Sequence, residues 1–259
     1  MTDNNLTGQR VLVTRPAAQS QALIVAIESA AGNPVRFPSI AIQPREPSLI
    51  RTDLARANHP DIVVFVSRNA VELGWSFLDT EGAQLAAIGP ATCDAIEQQG
   101  RKTDIFPQQS FDSEGLLAHP ALREVADSNI LIVRGNLGRE LLAATLQERG
   151  AVVSELAVYE RVAASPTAQD LAELRRAGAT GGIDYVVAMS IESLTGLLQI
   201  LPDDCRGMLS QTLLVTPSKR VIQTCGELLP DTATLLADGP QADDLVDAMI
   251  RSRAGADRQ

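Results

Sequence analysis

Residues 61–78 read DIVVFVSRNAVELGWSFL, and residues 184–201 read DYVVAMSIESLTGLLQIL. Each opens with an Asp, runs into consecutive apolar residues, and sets a Ser just past them, Ser67 in one and Ser190 in the other. Each then continues with apolar residues at helical spacing, so both predict a strand leading through a hydroxyl cap into a helix. The strands are apolar without alternation, which marks a sheet covered on both faces.

The same rhythm spreads outward from these segments. Val11–Val13, Leu85–Ile88, Ile130–Val133, Tyr185–Ala188 and Leu213–Val215 are short apolar runs, and the stretches at 19–31, 139–149 and 242–250 are amphipathic. Gly32, Gly100 and Gly150 stand where helix C-caps are expected. Strands alternating with helices predict an α/β protein built on parallel sheets.

Other segments also recur. AAIGPATCDAIEQQG from Ala86 resembles LLVTPSKRVIQTCGE from Leu213, and VLVTRP with the stretch from Gln21 to Ile42 resembles LIVRGN with the stretch from Arg139 to Glu160. The offset is about 118–127 residues each time, the mark of a duplication. Two pairings of the halves are open: consecutive domains, or exchanged halves in which the middle segment closes on itself and the termini build the other domain. Pro38–Ile42 and Leu156–Glu160 are extended in character beyond what a sheet strand needs, which favours a two-stranded connector crossed twice by the chain.

Composition narrows the function. The 259 residues are 45% hydrophobic and 21% charged, with a mean hydropathy of +0.03, enough for one large domain or two modest ones. A formal charge of −10 has the wrong sign for a general nucleic-acid or anionic-membrane binder, so an anionic ligand would need a local site. No apolar run approaches the ~20 residues that span a bilayer, and the first residues carry no signal-peptide pattern; the cytoplasm is the expected compartment. Cys93, Cys205 and Cys225 lack metal or disulfide spacing, and His59 and His119, both before proline, read as loop residues.

In a parallel sheet, ligands bind beyond the carboxyl ends of the strands. The loops there are Thr14–Pro16, Ser67–Asn69, Gly89–Thr92, Arg134–Asn136, Ser190–Glu192 and Thr216–Lys219, rich in hydroxyls, amides and arginines and poor in acids. Singly, such residues are ordinary helix caps; together they suit an anion. Glycine-rich nucleotide loops, the G-x-S-x-G elbow and an acidic pair after the first strand are absent from the sequence.

VLVTRP, FVSRNAV, AAIGPATCDAIEQQG, RGNLGRELLAATLQERGA, AVYER and DDLVDAMI occur in the order and spacing of uroporphyrinogen-III synthases. The resemblance covers about residues 10–250. It implies exchanged halves: one domain from 1–38 with 163–259, the other from 42–158, and a connector at 39–41 and 159–162. Each domain would be a flavodoxin-like α/β/α sandwich of five parallel strands, with substrate in the cleft between them. The implied reaction cyclises hydroxymethylbilane with loss of water and inversion of ring D, using no cofactor or metal.

The resemblance also implies roles. Tyr159 matches the Tyr of the family's connector, the candidate proton donor to the departing hydroxyl. Arg15, Ser67, Thr92, Gly135, Asn136, Arg139, Ser190 and Ser218 match substrate-binding positions, Gly135 and Asn136 as a loop offering amides to carboxylates. Val215–Lys219 departs from the family pattern by lacking its Gly and Thr, and Met189–Ser190 replaces the commoner Thr-Ser. The expected partner is a tetrapyrrole, with transient hand-over from the preceding enzyme, no nucleic acid, no membrane, and a monomeric state. A non-catalytic bilobal binding protein for a polycarboxylate or tetrapyrrole stays open as the alternative; a nucleotide-sugar transferase would want acidic contacts that the sequence lacks.

Overall fold

The computed structural model of the chain describes residues 5–108, 110–136, 138 and 140–256. Its strands, in chain order, are β1 Arg10–Val13, β2 Asn33–Arg36, β3 Ile40–Pro44, β4 Ile62–Phe65, β5 Gln84–Ala87, β6 Asn129–Gly135, β7 Val152–Ala163, β8 Tyr185–Val187, β9 Leu213–Thr216 and β10 Ala233–Leu236. Two compact units result, one from Met1–Ala41 with Val162–Gln259, the other from Ile42–Arg161. The chain passes between them twice, each time inside a strand, β3 or β7.

In the first unit the sheet runs β2-β1-β8-β9-β10, all pairs parallel. Numbered within the unit this is the order 2-1-3-4-5 of flavodoxin-like sheets, which reverses direction between β1 and β8. Alternate residues of the central strands serve opposite faces. Val11, Val13, Tyr185 and Val187 pack with Leu23, Ile27, Leu245 and Met249 on one side. Leu12 and Val186 pack with Phe37, Leu174 and Leu197 on the other.

The second unit repeats this order in permuted form. Its sheet is β3-β7-β6-β4-β5, with β6, β7, β4 and β5 standing where β1, β2, β8 and β9 stand in the first. Val63, Phe65, Leu131 and Val133 face one core and Ile62, Val64, Ile130 and Ile132 the other. The fifth parallel strand shrinks to a single bridge, Ala86 with Ile105. Asp104 marks its beginning, its carboxylate accepting the Leu85 N–H at 2.8 Å, and Pro107, two residues past the bridge, has no N–H to extend the ladder. The fifth full strand, β3, is added at the opposite edge, beside β7. Its hydrogen bonds, Arg45 N–H to the Val158 carbonyl and Ala164 N–H to the Ser39 carbonyl, run it against the direction of β7.

The glycine expected to cap the first helix does something else. Helix Ala17–Ser29 ends in a Schellman turn, with Gly32 N–H donating to the Ile27 carbonyl and Ala31 N–H to the Glu28 carbonyl, both at 2.9 Å. The left-handed residue is Ala31, at φ 60°. Gly32 answers to crowding instead, since a Cβ there would lie 2.9 Å from Ile27 Cγ2 and 3.0 Å from Leu6 Cβ. Gly100 and Gly150 do take positive φ after their helices.

Candidate functional site

The reversal of strand order opens a crevice at the carboxyl ends of the two strands that flank it. In the first unit these are β1 and β8, and their loops carry Arg15 and Ser190. In the second they are β6, which ends at Gly135 and leads into Asn136, and β4, whose loop carries Ser67. Residues far apart in sequence meet because parallel crossovers bring every carboxyl end to one edge of a sheet.

Ser67 caps helix Arg68–Gly74, its hydroxyl oxygen accepting the Ala70 N–H at 3.1 Å. The Tyr159 hydroxyl lies 3.1 Å from the same oxygen. Tyr159 is 2% exposed while Ser67 is partly exposed, so the serine is the member of the pair that solvent or ligand reaches. The Asn136 N–H donates to the Tyr159 carbonyl at 2.9 Å, and its side-chain oxygen accepts the Arg161 N–H at 3.1 Å. The amide expected to face carboxylates is thus engaged, and Asn136 offers its side-chain NH2 instead. Thr92 is buried in the first turn of helix Pro90–Gln98, whose cap, Gly89, supplies no side-chain acceptor.

In the first unit, Thr14 ties the two flanking strands together, its hydroxyl donating to the Val187 carbonyl at 2.6 Å. Ser190 caps helix Ile191–Ile200 in a reciprocal box with Ser193. The Ser193 carbonyl accepts the Ser39 hydroxyl at 2.7 Å, which anchors the loop from below. Ser218 precedes helix Lys219–Leu228 without capping it, so its hydroxyl does not occupy the first N–H groups of that helix. Helix N-termini without a side-chain acceptor favour an anion through their exposed N–H groups and the helix dipole.

Arg15 decides the electrostatics. It is half-buried, and burial pushes its guanidinium down from the ordinary value. No acid meets it among the described residues, whereas Arg68 is paired with Glu72 at 2.7 Å and Arg134 with Glu155 at 2.9 Å. A desolvated, unpaired cation is costly unless an anion arrives. Arg139 lies outside the described residues.

Other concavities fit the ligand class poorly. One of about 330 Å³ beside Gly135 and Asn136 is lined by Asp53, Glu155 and Glu160 as well as Arg45 and Arg134. One of about 790 Å³ in the first unit lies by Gly181, Gly182 and Asp184, at the amino end of β8. Burial pushes the Cys93, Cys205 and Cys225 thiols up, which holds them as unreactive thiols. His119 accepts the Ala121 N–H, a turn role. Among the described residues no helix is long and apolar enough to cross a membrane.

Two supporting residues, Ser193 and Ser39, escaped the sequence reading, and Thr14 entered it only as part of its loop. Ser193 alone left a signal, the Ser-x-x-Ser spacing of a capping box.

A family model described as uroporphyrinogen-III synthase HemD matches residues 21–247. A uroporphyrinogen-III synthase of Salmonella typhimurium is 31% identical over 226 residues, spanning 84% of this chain and 91% of that protein. One from Escherichia coli is 30% identical over the same shares. The crystal structure of uroporphyrinogen-III synthetase from Helicobacter pylori superposes with a TM-score of 0.61 at 15% identity, covering 94% of this chain and 99% of that one, a likeness of fold.

Proposed function

The chain belongs to the uroporphyrinogen-III synthase family, and from that premise we propose how its residues divide the conversion of hydroxymethylbilane into uroporphyrinogen III. The enzyme is a lyase: the substrate loses its terminal hydroxyl as water, ring D is inverted and the macrocycle closes. The departing hydroxyl needs a proton, and the electron-rich pyrrole holds the cation left behind. Ring D, attacked at its substituted carbon, parts from the bridge to ring C, and that bridge then joins ring D's free carbon, which sheds its hydrogen, so the proton supplied at the start is restored at the end.

The observation that carries the assignment of roles is the Tyr159–Ser67 hydrogen bond at a switch point. Ser67 already accepts from the Ala70 N–H. With the Tyr159 O–H also donating to it, the Ser67 proton is free to pass to the leaving hydroxyl, and Tyr159 refills Ser67 from behind. Arg15, with the uncapped helix starts after Gly89 and Ser218, receives substrate carboxylates. Thr92 and Ser190 border those loops, and Asn136 adds its side-chain amide. Much of the rate comes from orientation, which brings ring D to react through its substituted carbon. The same reading carries a monomer working in the cytoplasm on substrate handed over by the preceding enzyme.

The test is a coupled assay that generates hydroxymethylbilane in situ and separates the oxidised porphyrin isomers. Isomer III above the enzyme-free control is expected. Tyr159→Phe should lower its turnover about 100-fold, the low end of general acid catalysis, with the fold intact. Unchanged turnover removes Tyr159 from the mechanism.

A further inference from the structure

Along β6 and β7 the pairing keeps one register from Asn129↔Val152 to Arg134↔Ala157, then slips so that Gly135 faces Tyr159. Val158 is the extra residue. In a regular strand, Val158 and Tyr159 would point to opposite faces of the sheet. Here both are buried in the same core, with Leu156. The bulge resets the alternation at the residue where a hydroxyl is wanted. Beyond it, the two Asn136 hydrogen bonds, to the Tyr159 carbonyl and from the Arg161 N–H, hold the new register.

The ring of Tyr159 must then cross a strand. Ser67 follows β4, which lies on the far side of β6 from β7, about 10 Å away at the usual strand spacing. The ring passes over the end of β6, where a Cβ on residue 135 would stand 2.5 Å from Cε2 and 2.7 Å from Cζ of Tyr159. Gly135 is itself buried. The bulged Val158 grips the other end of the helix that Ser67 caps: a Cβ at Gly74 would be 3.2 Å from Val158 Cγ1 and 2.9 Å from Val133 Cγ1. Two consecutive residues of one bulge thus fix both ends of helix Arg68–Gly74, Val158 at its last residue and Tyr159 at its cap.

We infer that Gly135 is a positioning residue, whose bare backbone at the β6–β7 bulge is the passage through which Tyr159 reaches Ser67. The inference rests on the proposed role of Tyr159. Any side chain at 135 turns the ring aside and parts the two hydroxyls without touching substrate.

A double-mutant cycle tests it. Gly135→Ala should lower kcat to within a few-fold of Tyr159→Phe and move KM by less than about twofold, because the leaving-group step suffers and carboxylate binding does not. In the Tyr159→Phe background, where no hydroxyl remains to aim, adding Gly135→Ala should change kcat by less than about twofold. Effects that multiply in the double variant, or a Gly135→Ala defect confined to KM, overturn the inference and leave the role of Tyr159 standing. Wild-type turnover in Tyr159→Phe removes that role instead, and the inference with it. Should Gly135→Ala not fold by circular dichroism, Asn136→Ala replaces it. That variant frees the register beyond the bulge and also removes a carboxylate contact, so KM should rise in both backgrounds while kcat falls only where the Tyr159 hydroxyl is present; an equal loss of kcat in both backgrounds counts against the device.

Discussion

Replacing Ala31 by glycine should make the protein more stable, although it removes a methyl group and no contact is gained. The two copies of the duplication end their equivalent helices in the same Schellman turn with the residues reversed. In the first, Ala31 holds the left-handed position at φ 60° and Gly32 follows. In the second, Gly150 holds it at φ 88° and Ala151 follows, with Gly150 N–H on the Gln147 carbonyl at 2.9 Å and Ala151 N–H on the Leu146 carbonyl at 3.1 Å. A left-handed L-residue costs about 1–2 kcal/mol, and glycine returns about 0.5–1 kcal/mol of that by loosening the unfolded chain. The net gain for Ala31→Gly is about 0.5–1 kcal/mol, a rise in Tm of about 1–4 °C for a chain of this size. Gly32→Ala should do the reverse, by about 1–3 kcal/mol, because its Cβ meets Ile27 and Leu6. Gly150→Ala should also destabilise, by at least about 1 kcal/mol, with Ala126 3.3 Å from the new Cβ. Urea unfolding followed by circular dichroism, with a calorimetric scan, measures all three. A lowered midpoint for Ala31→Gly, or a neutral Gly32→Ala, refutes this account of why the glycines sit where they do.

Arg15→Ala should lower kcat/KM by about 10- to 100-fold, the loss of one charge-assisted bond to a substrate carboxylate. Its Tm should not fall, since the variant relieves a half-buried cation that has no acid partner among the described residues; a lowered Tm with normal kinetics would make Arg15 a structural residue. Ser190→Ala and Ser218→Ala should separate stability from binding. The first removes a capping box worth about 1 kcal/mol, whereas the second removes no cap and should raise KM at constant Tm. Equal melting shifts in the two serine variants would contradict the assignment.

The central strands were legible because burial on both faces leaves unbroken apolar runs, as in Ile62–Phe65, all four residues of which are buried. The edge strands β2 and β10 were not. Asn33-Pro34-Val35-Arg36 is exposed at both ends and carries a proline in its ladder, tolerable only at an edge. β7 announced only its middle, because exposed Val152 and the polar residues beside it conceal a strand of 12 residues. At the site, residue types were readable from the loops after strands, but which loops adjoin depends on strand order. Arg15 and Ser190 become neighbours of one crevice only through the β1–β8 pairing. The Val158 bulge leaves no local trace, since it is a relation between two strands rather than a property of either.

The position of β1 in the middle of its sheet, flanked by β2 and β8, has a consequence on the ribosome. Its apolar residues are translated about 170 residues before those of β8, so one of its two hydrogen-bonding edges stays vacant until Tyr185 emerges. At about 5–20 residues per second the wait is roughly 10–35 s. Throughout it the nascent Val11–Val13 offers an unsatisfied ladder to any other chain nearby, while the inserted unit, contiguous from Ile42 to Arg161, has everything it needs to finish first. Chaperone occupancy during synthesis should therefore concentrate on the segment from β1 to β2 and end abruptly once β8 has been made.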